Sequence, residues 1–167
     1  MGLAPPSGSM LPLGRHLARI SQWFSFRHRQ LKRITTSANG PVPASPLILL
    51  VDDYRDGREM YAEYLVFRGY RVATACSGAQ AVALASGPDR PAVVLMDLEM
   101  HDMSGADALR VLRANPALTR VPILALTARA MNAEREAAIR DGFDDVIPKP
   151  CLPDELIAII DRYLAQT

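Results

Sequence analysis

The chain has 167 residues, 49% of them apolar and 22% charged, with a formal net charge of +1, enough for one well-buried domain and a tail but short for two. No run approaches the roughly 18 uninterrupted apolar residues that a membrane helix needs. Residues 11–17, broken by Pro12, Gly14, Arg15 and His16, do not read as a secretory signal.

The chain opens with a Pro-, Gly- and Ser-rich run over residues 1–12, and a second covers residues 35–46, where Pro41, Pro43 and Pro46 bar regular structure. Between them Leu13, Leu17, Ile20, Phe24, Leu31 and Ile34 recur at roughly helical spacing, the pattern of a short basic amphipathic helix. Ser21, Gln22 and Ser25 interrupt it, so residues 1–46 read as a flexible basic N-terminal extension and residues 47–167 as the folded domain. The extension carries Arg15, Arg19, Arg27, Arg29, Lys32 and Arg33 and no acid. The rest holds 13 basic against 18 acidic residues, a mildly acidic surface that argues against nucleic-acid binding.

From Leu47 short apolar runs alternate with amphipathic segments. Strands are expected at residues 47–51, 71–74, 92–96, 122–126 and 145–147, and helices at 55–68, 78–86, 105–114, 132–141 and 153–164. Five strands each followed by a helix predict an α/β fold, a five-stranded parallel sheet doubly wound as (βα)5. The runs 47–51 and 92–96 are apolar throughout, as central strands buried on both faces are, and are expected to be neighbours. In such a sheet ligands collect at the carboxyl ends of the strands, beside the topological switch point.

The polar residues at those ends form a coherent set. The first strand runs into Asp52 and Asp53, the third into Asp97 and the fourth into Thr127, and the fifth is followed by Lys149-Pro150. Carboxylates gathered at one edge repel one another unless a cation sits among them, and Mg²⁺ suits oxygen donors of this kind. A carboxylate can attack phosphorus. Asp97, alone at the end of a central strand, is the candidate nucleophile, with Asp52 and Asp53 holding the metal. Phosphoryl transfer needs neutralised oxygens more than acid–base chemistry, so Lys149 is read as the cation and Thr127 as the hydroxyl donor. Lys149 is also the only lysine after Lys32 in a chain that otherwise uses arginine. Singly, each residue has a plainer role, such as capping the next helix; their order along one fold carries the assignment.

Residues 49–53, 94–100, 103–105, 125–128 and 142–150 resemble the response-regulator receiver family, and the resemblance spans about residues 46–164. It implies a flavodoxin-like receiver fold and a cytoplasmic two-component switch, in which Asp97 accepts a phosphoryl group from a phosphohistidine of a sensor histidine kinase or histidine phosphotransfer protein. It implies Mg²⁺ ligation by Asp53, Asp97 and the backbone carbonyl of Glu99 with Asp52 assisting, phosphoryl contacts from Thr127 and Lys149, and a cis Lys149-Pro150 bond. Such a switch catalyses its own phosphorylation and dephosphorylation without turning over a free substrate, so it is not an enzyme in the ordinary sense. Its output would be contact with a downstream protein target, or a homodimer.

Two positions depart from the family pattern. His101 stands where most relatives have a proline, and reads as a loop residue with at most a minor pH effect. Val146 stands where a switching Tyr or Phe is usual. A valine cannot make the inward ring movement, so the signal is expected to pass by a smaller backbone shift or by altered dimer contacts. Glu99 and Arg129 are expected to flank the pocket, where they either tune phosphoryl lifetime or form a solvated ion pair.

Three other readings compete. An Asp-nucleophile phosphatase would place Asp-x-Asp after the first strand, where this chain has Asp52-Asp53-Tyr54. A receiver-like protein-binding module that is never phosphorylated is the main alternative, and Val146 is its one support. A transcription factor would need an effector half, and the sequence ends at Thr167, so a stand-alone receiver is expected. Cys76 and Cys151 lack metal-type pairing and read as ordinary thiols of a reducing compartment.

Overall fold

The computed structural model describes residues 45–129 and 131–166. The expected basic extension lies outside the described residues, apart from Ser45 and Pro46. Five strands, β1 (Leu47–Val51), β2 (Arg71–Ala75), β3 (Val93–Asp97), β4 (Ile123–Thr127) and β5 (Asp145–Pro148), form one parallel sheet in the order β2-β1-β3-β4-β5. Helices α1 (Arg55–Phe67), α2 (Gly78–Ala85), α3 (Gly105–Ala114), α4 (Asn132–Asp141) and α5 (Pro153–Leu164) alternate with them, as the periodicity predicts. A 3₁₀ turn at Pro116–Leu118 is additional; the Asn115 side chain opens it by accepting from the Ala117 N–H at 3.0 Å. Among the described residues no helix is long and apolar enough to cross a membrane.

The central strands β1, β3 and β4 are buried almost throughout, whereas the edge strand β2 exposes Arg71 and Thr74. Strand side chains alternate between faces. Leu49, Val51, Val94, Met96 and Ala125 pack in one cluster with small and branched residues of α2, α3 and α4. Ile48, Leu50, Leu95, Leu124, Leu126 and Ile147 have the opposite parity and are equally buried, on the face where α1 and α5 bury Leu65, Leu156, Ile157 and Ile160. Each such side chain contributes roughly 1.5–3 kcal/mol when removed from water, so two-sided burial is what holds the sheet.

Strand ends differ from the expected ones by a residue, and the difference bears on the site. Asp97 and Thr127 are the last residues of β3 and β4 rather than the first beyond them, because the ladder continues: Asp97 registers with Leu126, and Thr127 with Pro148. β4 begins at Ile123 because Pro122 has no N–H to give, although its carbonyl still accepts from the Val94 N–H at 2.9 Å. Val51 registers with Met96, so the next residues, Asp52 and Asp97, leave adjacent central strands side by side. That is the switch point, since the chain passes from β1 outward to β2 and then back across to β3.

Helix ends set the remaining geometry. Ser104 opens α3 by accepting from the Asp107 N–H at 3.2 Å. Gly142, at φ +108°, closes α4 in the left-handed region and turns the chain into the buried Phe143.

Candidate functional site

Asp52 and Asp97 are 2% and 6% exposed, deep enough that their charges need partners. Lys149 reaches both from the loop after β5: its Nζ donates at 2.8 Å to Asp52 Oδ2 and at 2.8 Å to Asp97 Oδ2. The other oxygens are held by main-chain donors. The Tyr54 N–H donates to Asp52 Oδ1 at 2.8 Å and the Glu99 N–H to Asp97 Oδ1 at 3.0 Å. Arg58 of α1 donates to the Asp52 carbonyl and braces the turn out of β1. The Lys149–Pro150 peptide bond is cis.

Asp53 completes the acidic group. One carboxylate oxygen from each of Asp52, Asp53 and Asp97 lies within 4.8 Å of the others. Three carboxylates face one ammonium, an imbalance that a divalent cation neutralises. All the donors are hard oxygens, and among the described residues no thiol or imidazole joins the three-carboxylate group. The residues therefore fit Mg²⁺, which asks for few protein carboxylates and completes its octahedron with water.

The electrostatics follow from burial and pairing. Burial pushes the Asp97 carboxyl above its ordinary value, against the opposing pull of Lys149 and of the Glu99 N–H. Burial would lower Lys149, but its bonds to Asp52 and Asp97 outweigh that and raise it, so the ammonium stays charged. Burial also pushes Asp53 up, yet the His101 ring and main-chain N–H win and hold it below the usual carboxylate range. His101, read from the sequence as a plain loop residue, thus bonds Asp53 through Nδ1 while its main-chain N–H donates at 3.0 Å.

Thr127 is buried at the end of β4, and its carbonyl accepts from the Lys149 N–H at 2.7 Å. Its hydroxyl is engaged locally, accepting from the Arg129 N–H at 3.0 Å and donating to the Arg129 carbonyl at 3.2 Å. Glu99 and Arg129 meet at 3.1 Å with both side chains well exposed, a solvated pair worth about 0–1 kcal/mol. Val146 is buried in the α2–α3–α4 cluster, and Arg135 of α4 donates to its carbonyl at 2.8 Å. Arg58 and Tyr61 go unnoticed in the sequence: on an amphipathic helix an arginine reads as solvated, and a tyrosine at an inward position reads as core.

The receiver family model, described as the response regulator receiver domain, matches residues 48–161. The chain belongs to this family. Two curated relatives are response regulators named MprA. The one from Mycolicibacterium vanbaalenii is 40% identical over 120 residues, covering 72% of this chain and 51% of the relative. The one from Mycobacterium leprae is 39% identical with the same coverage. The chain thus spans about half the length of the curated relatives it matches. Among solved structures, the receiver domain of the sensor histidine kinase PA1611 of Pseudomonas aeruginosa, which has magnesium coordinated in its active-site cleft, aligns with TM-score 0.68 at 36% identity, over 73% of this chain and 99% of that one. The chemotaxis protein CheY4 of Vibrio cholerae aligns with TM-score 0.68 at 29% identity, over 72% and 99%.

Proposed function

We propose that this receiver domain is a phosphoacceptor switch, with Asp97 taking the phosphoryl group of a phosphohistidine on a sensor kinase or phosphotransfer protein in the cytoplasm. The observation that carries this reading is the Asp97 carboxylate at the end of a central strand, bonded to Lys149 and grouped with Asp52 and Asp53. An Asp97 oxygen attacks phosphorus, the P–N bond breaks, and its electron pair returns to the imidazole nitrogen. Lys149 and the Thr127 hydroxyl take the charge of the phosphoryl oxygens, Thr127 by giving up its local bonds to Arg129.

Asp52, Asp53, Asp97 and the Glu99 carbonyl are the residues that would hold Mg²⁺; the grouping of the three carboxylates supports a metal there, and so does the magnesium in the cleft of the PA1611 receiver domain. Bound there, the ion screens the incoming negative charge. The domain turns over no free substrate. Its output is contact with a downstream protein or a second copy.

The test is intact-mass measurement after incubation with Mg²⁺ and acetyl phosphate. The wild type gains one phosphoryl group and Asp97→Asn gains none; equal uptake by both would place the acceptor elsewhere. A second expectation concerns Val146. With no ring to turn inward, superposed free and beryllofluoride-bound structures should show a backbone shift of β4 and β5 and no aromatic rearrangement on the α4–β5–α5 face; such a rearrangement would contradict it.

A further inference from the structure

Lys149 can act on Asp97 only if the loop that carries it is held, and this loop has few means of holding itself. Of residues 148–153, Pro148, Pro150 and Pro153 have no N–H. The three remaining donors are all accounted for. The Lys149 N–H goes to the Thr127 carbonyl at 2.7 Å, and the Leu152 N–H to Glu155 Oε2, within its own helix, at 3.4 Å. The Cys151 N–H goes to the Tyr61 hydroxyl at 3.3 Å, and that hydroxyl donates back to the Cys151 carbonyl at 3.0 Å.

On the β4 side, then, the loop is tied by a strand; on the α5 side it is tied to α1 by one phenol. Tyr61 is 4% exposed, and its burial raises the phenol above its ordinary value and keeps it protonated, able to donate and accept at once. Two other tyrosines also join α1 and its end to α5: Tyr64 to Asp154 and Tyr70 to Asp161. Those two bond side-chain carboxylates of α5, where Tyr61 bonds the main chain of the loop.

We propose that Tyr61 is a positioning residue for phosphoryl transfer: its hydroxyl, bonded both ways to the Cys151 main chain, fixes the loop that aims Lys149 at Asp97. This rests on the phosphoacceptor reading above. A merely structural tyrosine would cost stability alone; a positioning one also costs rate, and does so only through Lys149.

The experiment is a double-mutant cycle on the full chain, reading Asp97 phosphorylation at saturating acetyl phosphate. Tyr61→Phe should slow it about 5- to 20-fold, within the range expected for a catalytic group displaced by a fraction of an ångström. The Mg²⁺ dissociation constant should stay within about twofold. In a Lys149→Ala background the same change should have almost no effect. Tyr64→Phe, which removes a hydroxyl from the same seam, should leave the rate unchanged.

Equal slowing by Tyr61→Phe in both backgrounds, or by Tyr64→Phe, would overturn the proposal. A wild type that takes up no phosphoryl group defeats the phosphoacceptor reading instead, and crystal structures then decide the role of Tyr61. Displacement of Lys149 Nζ from Asp97 in Tyr61→Phe supports positioning, and unchanged contact with both carboxylates refutes it.

Discussion

Lys149→Ala is expected to slow phosphorylation of Asp97 by about 10²–10³-fold, the scale on which a preorganised charge at a transferring group acts, while tightening Mg²⁺ binding. The two effects have opposite signs for one reason. The ammonium sits 2.8 Å from both Asp52 and Asp97, so it stabilises transferred negative charge and competes with the metal for the same carboxylates. Without it Asp52 and Asp97 face each other with no ammonium between them, while Asp53 keeps its bonds to His101.

The variant should also be less stable in metal-free buffer. Removing one partner of a fully buried pair costs about 3–5 kcal/mol. Lys149 is 22% exposed, so a loss of about 1–3 kcal/mol is expected, and saturating Mg²⁺ should shrink it by mass action. Asp97 already titrates above its ordinary value, and losing Lys149 raises it further. A raised acid binds more protons folded than unfolded, so the variant's deficit grows as pH rises through the folded pKa and closes in acid. Urea unfolding with and without Mg²⁺ reads the stability and the mass assay reads the rate. A rate within a fewfold of wild type would remove Lys149 from the transfer step.

Gly105→Ala is expected to cost about 2–4 kcal/mol in urea unfolding and to impair phosphorylation as well. A Cβ on Gly105 would stand 2.4 Å from the Asp97 carbonyl oxygen and 3.0 Å from Leu98 Cα, contacts made by backbone that no rotamer change can relieve. The first residue of α3 therefore presses directly on the chain leaving the acceptor. Alanine at a helix start ordinarily gains a few tenths to about 1 kcal/mol over glycine, which the clash must exceed. Gly78 provides the contrast. Its Cβ would meet Met103 Cβ and Cγ at 2.9 Å and Sδ at 3.0 Å. Rotation of the side chain clears Cγ and Sδ but not Cβ, so the loop carrying Met103 must shift slightly and Gly78→Ala should cost about 1–2 kcal/mol, less than a clash with two backbone atoms. Equal losses at the two sites would show that the Asp97–Gly105 approach is not rigid.

Much of the molecule is legible in its amino acids. The short, continuous apolar runs of β1 and β3 have the length and composition of strands buried on both faces, and their alternation with helical segments implies the parallel sheet and the adjacency of β1 and β3. Asp52, Asp53, Asp97, Thr127 and Lys149 are legible for the same reason, since each lies at or next to the carboxyl end of a strand and local pattern locates strand ends to within a residue.

Tertiary structure alone decided the rest. Register placed Asp97 and Thr127 inside their strands. Sheet order and loop path brought Lys149 onto carboxylates 97 and 52 residues away, His101 onto Asp53, and the Tyr61 hydroxyl onto a main chain 90 residues distant. Periodicity reports which face of an element is apolar, and burial is all that face needs. A hydrogen bond between distant elements depends instead on how those elements are stacked and turned, and no local run of residues records that.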